Sequence, residues 1–128
     1  MIVDSSAILA IFLREDGADV LLTRILEARF AGIGSPTATE TGIVLTRHLK
    51  RNATAPLLRF FFASGIHVIP FTELHWRRAI DAYERFGKGR HSAGLNFGDC
   101  MSYATAALAG QPLLCRGEDF RKTDLDLV

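Results

Sequence analysis

A chain of 128 residues, 48% of them apolar, has room for one domain around one core, and at this size neither a disulfide nor a structural metal is required. Its 2 cysteines exclude a disulfide framework; both lie in apolar contexts and read as small buried side chains of a protein from a reducing compartment. A formal net charge of +1 excludes nucleic-acid binding by bulk charge, although Arg47, His48, Lys50 and Arg51, the pair Arg77 and Arg78, and Lys88, Arg90 and His91 gather charge locally.

The apolar triplet Met1-Ile2-Val3 reads as a short buried strand that runs into Asp4, Ser5 and Ser6. Ile8, Leu9, Phe12 and Leu13 then repeat at helical spacing, and Ala18, Leu21, Leu22, Ile25 and Leu26 set a second helix. Ala31–Gly34 is a short, glycine-rich strand candidate. Ser35-Pro36 signals a helix start, with Ser35 as cap, and that helix runs through Glu40 to about Arg51. A capping-box acid would fall at Ala38, so the Glu40 carboxylate has no capping role. Pro56 reopens a helical segment with Leu57, Leu58 and Phe60–Phe62, and Ile66–Ile69 forms a third strand ended by Pro70.

Thr72 caps the next helix, whose buried face is read as Trp76, Ala79, Ile80 and Tyr83. A basic loop with three glycines, Gly87–Gly94, follows; it lacks the spacing of a phosphate-binding loop. Asn96–Asp99 leads into a helix with Cys100, Tyr103, Ala104, Ala107 and Leu108 on its apolar face and Gly110 as its C-cap. Pro112–Cys115 is a fourth strand, Arg116–Phe120 the turn after it, and Leu125–Val128 a candidate edge strand. The expected architecture is α/β: a short, mostly parallel sheet of about four to five strands with helices on both faces, in one domain spanning residues 1–128.

The acids fall into a pattern on that layout. Asp4 follows strand one, Glu40 lies early in the helix after strand two, Asp99 opens the helix before strand four, and Glu118 and Asp119 follow strand four. All lie on the carboxyl edge of the sheet, where open α/β folds bind ligands. A lone Asp4 is explained as well by helix capping; four convergent acids repel one another unless a cation neutralises them. Oxygen ligands without Cys or His select Mg²⁺ or Mn²⁺, and such an ion can activate water for attack on a phosphodiester. The four histidines, His48, His67, His75 and His91, show no metal-ligand spacing.

The chain resembles the PIN-domain proteins, specifically the VapC-type toxins of prokaryotic toxin–antitoxin pairs. The resemblance rests on Met1-Ile2-Val3-Asp4-Ser5-Ser6-Ala7, on Glu40 within Thr39-Glu40-Thr41, on Gly87–His91 continuing through Leu95–Cys100, and on Leu113–Phe120. It spans the whole chain, and Gly87–Cys100 is its most specific part. It implies a Mg²⁺-dependent endoribonuclease (Mn²⁺ being the alternative ion), cytoplasmic and homodimeric. It also implies a VapB-type antitoxin whose C-terminal tail covers the site. By the same resemblance Asp4, Glu40 and Asp99 are metal-site acids, Glu40 binding directly or through water, and Ser6 supports them. Glu118 and Asp119 compete for the fourth place; Asp119, which directly precedes Phe120, fits the family pattern better. The bulk of Phe60–Phe62 is expected to close the dimer. The rival reading is a catalytically idle scaffold of the same fold that binds only RNA or a partner protein. No stretch is expected to cross a membrane: the apolar run Leu57–Phe71 is broken by Arg59, His67 and Pro70.

Overall fold

The computed structural model describes residues 1–128. Four strands, β1 (Ile2–Val3), β2 (Ala31–Gly34), β3 (Ile66–Ile69) and β4 (Leu113–Leu114), form one sheet in the order β3-β2-β1-β4. Every pairing is parallel: Ile2 faces Gly32 on one side and Leu113 on the other, and Ala31–Gly34 runs in register with Ile66–Ile69. Parallel neighbours need crossovers, and helices provide them: α1 (Ser5–Phe12), α2 (Ala18–Glu27), α3 (Ser35–Leu49), α4 (Thr54–Ser64), α5 (Glu73–Phe86) and α6 (Phe97–Ala109). A 3₁₀ turn, Asp119–Lys122, follows β4.

The two residues of β1 explain how so short a strand can organise the chain. Alternation along a strand sends Ile2 to one face and Val3 to the other. Ile2 joins Ala79, Ala82, Leu95, Tyr103 and Leu113 in a core under α5 and α6. Val3 joins Ile8, Ile25, Ile33, Leu45 and Leu114 in a second core under α1–α4. Both side chains are fully buried, which stabilises each by roughly 1.5–3 kcal/mol. Leu113 and Leu114 divide between the cores in the same way.

Several expectations need correction. The segment Leu125–Val128 is not a strand; it makes one isolated parallel bridge, Leu113 to Leu127. Ser35 does not cap α3: Gly34 holds the cap position without a side-chain bond, and Pro36 sits inside the first turn. On α5 the buried residues are Ala79, Ala82 and Phe86, whereas Trp76, Ile80 and Tyr83 are exposed. The stripe that meets α6 is alanine because small side chains let two helix backbones approach closely, and this pushes the bulky neighbours outward. On α4, Phe61 is buried and Phe60 is half-buried with its ring edge-on to Phe12, but Phe62 is 92% exposed. The core therefore takes up Phe61 and part of Phe60, as their reading as core expects, and leaves Phe62 on the surface.

Two features bring helices to the carboxyl edge. Gly34 ends β2 against α6, where a Cβ would stand 2.5 Å from Thr105 Oγ1, so only glycine permits this approach. The N-terminus of α6 is fixed by a reciprocal capping box: Asp99 N–H donates to Asn96 Oδ1 at 2.8 Å, and Asn96 N–H donates to Asp99 Oδ2 at 2.9 Å. The basic loop is hydrogen-bonded rather than free. Lys88 N–H donates to the Leu95 carbonyl and Leu95 N–H to that of Phe86, closing the loop at its neck. No helix is long and apolar enough to cross a membrane.

Candidate active site

Asp4 is the buried member of the site, at 4% exposure. It stands where β1 ends and caps α1, so the capping reading is true of it. Ser6 supplies two donors to Asp4 Oδ2, its backbone N–H at 3.0 Å and its hydroxyl at 2.6 Å. Ser6 Oγ in turn accepts the backbone N–H of Arg116 at 2.9 Å, which ties the turn after β4 to the start of α1. Asp4 Oδ1 accepts the Ser102 hydroxyl of α6 at 2.6 Å. A carboxylate oxygen has two acceptor positions. Oδ2 is therefore filled, while Oδ1 keeps one free.

Glu40 is half-buried in the second turn of α3 and reaches the first turn of α6. Its carboxylate lies so near Gly98 that a Cβ there would stand 2.6 Å from Oε1 and 2.9 Å from Oε2. It thus sits at a helix N-terminus, where unpaired N–H groups and the helix dipole favour negative charge. Asp99, the next residue, is pushed up from 3.8 to about 6, first by burial and then by the charges of Asp4, Asp119 and Glu40; only its bond from Asn96 opposes the shift. The charges of Asp4, Glu40 and Asp119, from three other segments, thus reach Asp99.

Asp119 opens the 3₁₀ turn and is exposed. Its charge acts on Asp99. Glu118 points its carboxylate to Arg121 Nε at 3.3 Å instead. The other ion pairs are Arg77 with Glu73, Arg85 with Asp124, and Arg116 with Glu15. None involves Asp4, Glu40, Asp99 or Asp119, so the site's negative charge has no basic side chain against it. The acids do not close on a single point, and no three His, Cys, Asp or Glu groups stand as a ready-made metal clasp.

The rim chemistry favours a hard cation. Cys115 lies near the acids, but burial and then the charge of Asp4 push its thiol up to about 11; Cys100 is likewise raised to about 11 by burial. Both stay neutral thiols, poor as metal ligands or nucleophiles. His48 is exposed on the last turn of α3, and the other three histidines are engaged elsewhere. His67 stacks on Phe30, His75 accepts the Thr72 N–H at the start of α5, and His91 accepts the Ala93 N–H within the basic loop. What remains at the site is carboxylate and hydroxyl oxygen, a donor set that suits Mg²⁺ or Mn²⁺.

Two bonded neighbours of the site escaped the sequence reading. Ser102 and Thr37 are buried hydroxyls on α6 and α3, and their oxygens lie 3.0 Å apart. The available signal was their spacing: Ser102 follows Asp99 by three residues and Thr37 precedes Glu40 by three, so each shares a helix face with an acid.

Comparison with known proteins gives the family and the fold. The family model for the PIN domain matches residues 1–125. Ribonuclease VapC36 of Mycobacterium tuberculosis is 43% identical over 127 residues, covering 98% of this chain and 91% of that protein. Ribonuclease VapC of Mycolicibacterium smegmatis is 36% identical over 128 residues, covering 100% of this chain and 99% of that protein. Among solved structures, M. tuberculosis VapC20, a sarcin-ricin loop cleaving toxin, superposes with a TM-score of 0.79 at 16% identity over 99% of this chain and 97% of that one. A toxin–antitoxin complex from Klebsiella pneumoniae gives a TM-score of 0.74 at 16% identity, covering 99% of this chain and 95% of that one. At that identity the two structures speak for the fold alone.

Proposed function

This chain belongs to the PIN-domain family and to its VapC ribonuclease branch, and from that premise we propose that it is a metal-dependent endoribonuclease, the toxin of a toxin–antitoxin pair. The observation that carries the reading is the gathering of Asp4, Glu40, Asp99 and Asp119 on the carboxyl edge of the sheet, where the charges of the other three reach Asp99 and no ion pair engages any of them. The donor chemistry fits Mg²⁺, with Mn²⁺ as the alternative. Asp4 Oδ1, Asp99 and Asp119 would hold the ion, with Glu40 acting directly or through water. A bound divalent ion lowers the pKa of water and steadies charge on a phosphoryl oxygen.

The chain's own residues do the rest. Ser6 and the α1 start hold Asp4 in one orientation. The capping box with Asn96 fixes the Asp99 carboxylate, and Glu40 lies against the first turn of α6. Lys88 and Arg90 on the exposed loop supply positive charge for an RNA backbone, with His91 beside them. The partners follow from the branch: RNA as substrate, a VapB-type antitoxin whose C-terminal tail covers the acids, and a second copy of the chain in a homodimer. The place of action is the cytoplasm.

The test is cleavage of total cellular RNA by the purified protein with Mg²⁺ or with chelator. Asp99→Asn keeps an acceptor for the Asn96 N–H and so keeps the cap, but removes a charge from the site. Cleavage is expected only with the ion and only for the wild type. Equal cleavage by Asp99→Asn, or by wild type in chelator, overturns the proposal. RNA binding without any cleavage would favour the idle scaffold.

A further inference from the structure

Ser102 on α6 and Thr37 on α3 are each 1% exposed. A buried hydroxyl costs free energy unless it is bonded, and an alanine at 102 or a valine at 37 would pack without that cost. Both hydroxyls are bonded, and in only one direction. Asp4 as a carboxylate can only accept, so the single Ser102 hydroxyl hydrogen goes to Asp4 Oδ1 at 2.6 Å. That distance lies in the short range of charge-assisted O–H···O⁻ bonds. Ser102 Oγ must then accept from Thr37 Oγ1 at 3.0 Å. The Thr37 carbonyl accepts the Thr41 hydroxyl at 2.7 Å, which holds this turn of α3.

The relay Thr37 to Ser102 to Asp4 joins the three elements that carry the buried and half-buried acids. Thr37 lies one turn before Glu40, Ser102 one turn after Asp99, and the relay ends on the oxygen of Asp4 that retains a free acceptor position. Ser6 occupies only Oδ2. Ser102 is the one hydrogen-bond donor to Asp4 Oδ1, and its bond with Thr37 ties α6 to α3 inside the core.

We propose that Ser102 and Thr37 are positioning residues for Asp4, a buried hydroxyl relay that aims Oδ1 at the divalent ion and sets the spacing between the helices bearing Asp99 and Glu40. The inference rests on the metal-dependent reading above. It adds that the geometry is imposed from inside the core, not only by Ser6 at the start of α1.

The experiment is calorimetric titration of Mn²⁺ and of Mg²⁺ into the purified full-length chain, without RNA, paired with thermal melting in chelator. Ser102→Ala should bind the ion about tenfold more weakly than wild type, the loss usual for an outer-shell partner of a metal ligand. Thr37→Val keeps the shape but not the hydroxyl and should weaken binding less. Thr37→Ser keeps the hydroxyl and should bind as wild type does. Wild-type affinity in both Ser102→Ala and Thr37→Val overturns the relay. If Ser102→Ala fails to fold, the contrast between Thr37→Val and Thr37→Ser decides alone, and equal affinities there overturn the proposal. A wild type that binds neither ion fails the nuclease reading itself.

Discussion

The carboxylate of Glu40 lies against the backbone of Gly98: a methyl group on Gly98 would stand 2.6 Å from Glu40 Oε1. Gly98 is the second residue of α6, in a helix turn that accepts alanine. What a methyl would meet is the free end of a flexible side chain, which can swing away. The Gly98→Ala variant should therefore separate stability from activity. Alanine lowers the entropy lost on folding, so the fold should gain up to about 1 kcal/mol. Glu40 would leave its place at the helix N-terminus, and RNA cleavage should fall. Thermal melting in chelator and a Mg²⁺-dependent cleavage rate read the two effects. Wild-type cleavage by this variant would show that Glu40 is not needed where it stands.

Asp99 makes a prediction in pH. Its folded-state pKa is raised from 3.8 to about 6, so the folded protein holds that proton more tightly than the unfolded chain does. The corresponding stability is complete below pH 3.8 and is lost as pH rises through about 6. In chelator, Asp99→Asn should melt close to wild type under acid conditions and above it at neutral pH, the gap opening between those limits. The variant comparison cancels other groups, including Asp124, whose bonds from Tyr103 and Arg85 hold it below the usual carboxylate range and give the opposite slope. Added Mg²⁺ should raise the wild-type melting temperature more as pH rises past about 6, because the ion competes with the proton on Asp99. A gap that does not change with pH would show that Asp99 titrates normally.

The same contrast between local and distant causes explains what could be read in the sequence. The strands and helices were legible because hydrophobic period is a local property, and the acids could be placed on the sheet edge because each lies near the end of such an element. The Asn96–Asp99 capping box has a local pattern too. The face of α5 was not legible: Trp76, Ile80 and Tyr83 share a helical period with Ala79, but contact with α6 selects small residues. The Thr37–Ser102 bond spans 65 positions, so no window of sequence contains it.

Homodimerisation is predicted to use the α5–α6 face. Its groove, of about 800 Å³, is lined by Trp76, Ile80, Tyr83 and Phe97, with Phe97 82% exposed two residues from Asp99. On α4 the exposed large apolar side chains are Phe62 and Leu58. Ile80→Glu places a charge in the groove at a position the fold leaves half open, so it should yield a folded monomer. Phe62→Glu should stay dimeric. Sedimentation at micromolar concentration distinguishes them; the reverse outcome assigns the interface to α4, and a monomeric wild type sinks the dimer.

Asp119, not Glu118, is predicted to be the fourth acid. Asp119 adds to the charge that raises Asp99, whereas Glu118 is paired with Arg121 at 3.3 Å. That pair is exposed, and exposed pairs are worth about 0–1 kcal/mol, so it alone would not keep Glu118 from swinging toward an ion. The backbone argues more strongly: Asp119 begins the 3₁₀ turn whose next residue, Phe120, is buried in the core, so its position is set by packing. Asp119→Asn should thus lower the Asp99 titration midpoint, read by carbon-13 NMR of the carboxyl group in chelator. It should also slow Mg²⁺-dependent cleavage by about tenfold or more, as for loss of a group that holds an ion directly or through water. Glu118→Gln should leave both unchanged. If Glu118→Gln moves the Asp99 midpoint and Asp119→Asn does not, the fourth place belongs to Glu118, and the exposed pair with Arg121 gives way when the site is filled.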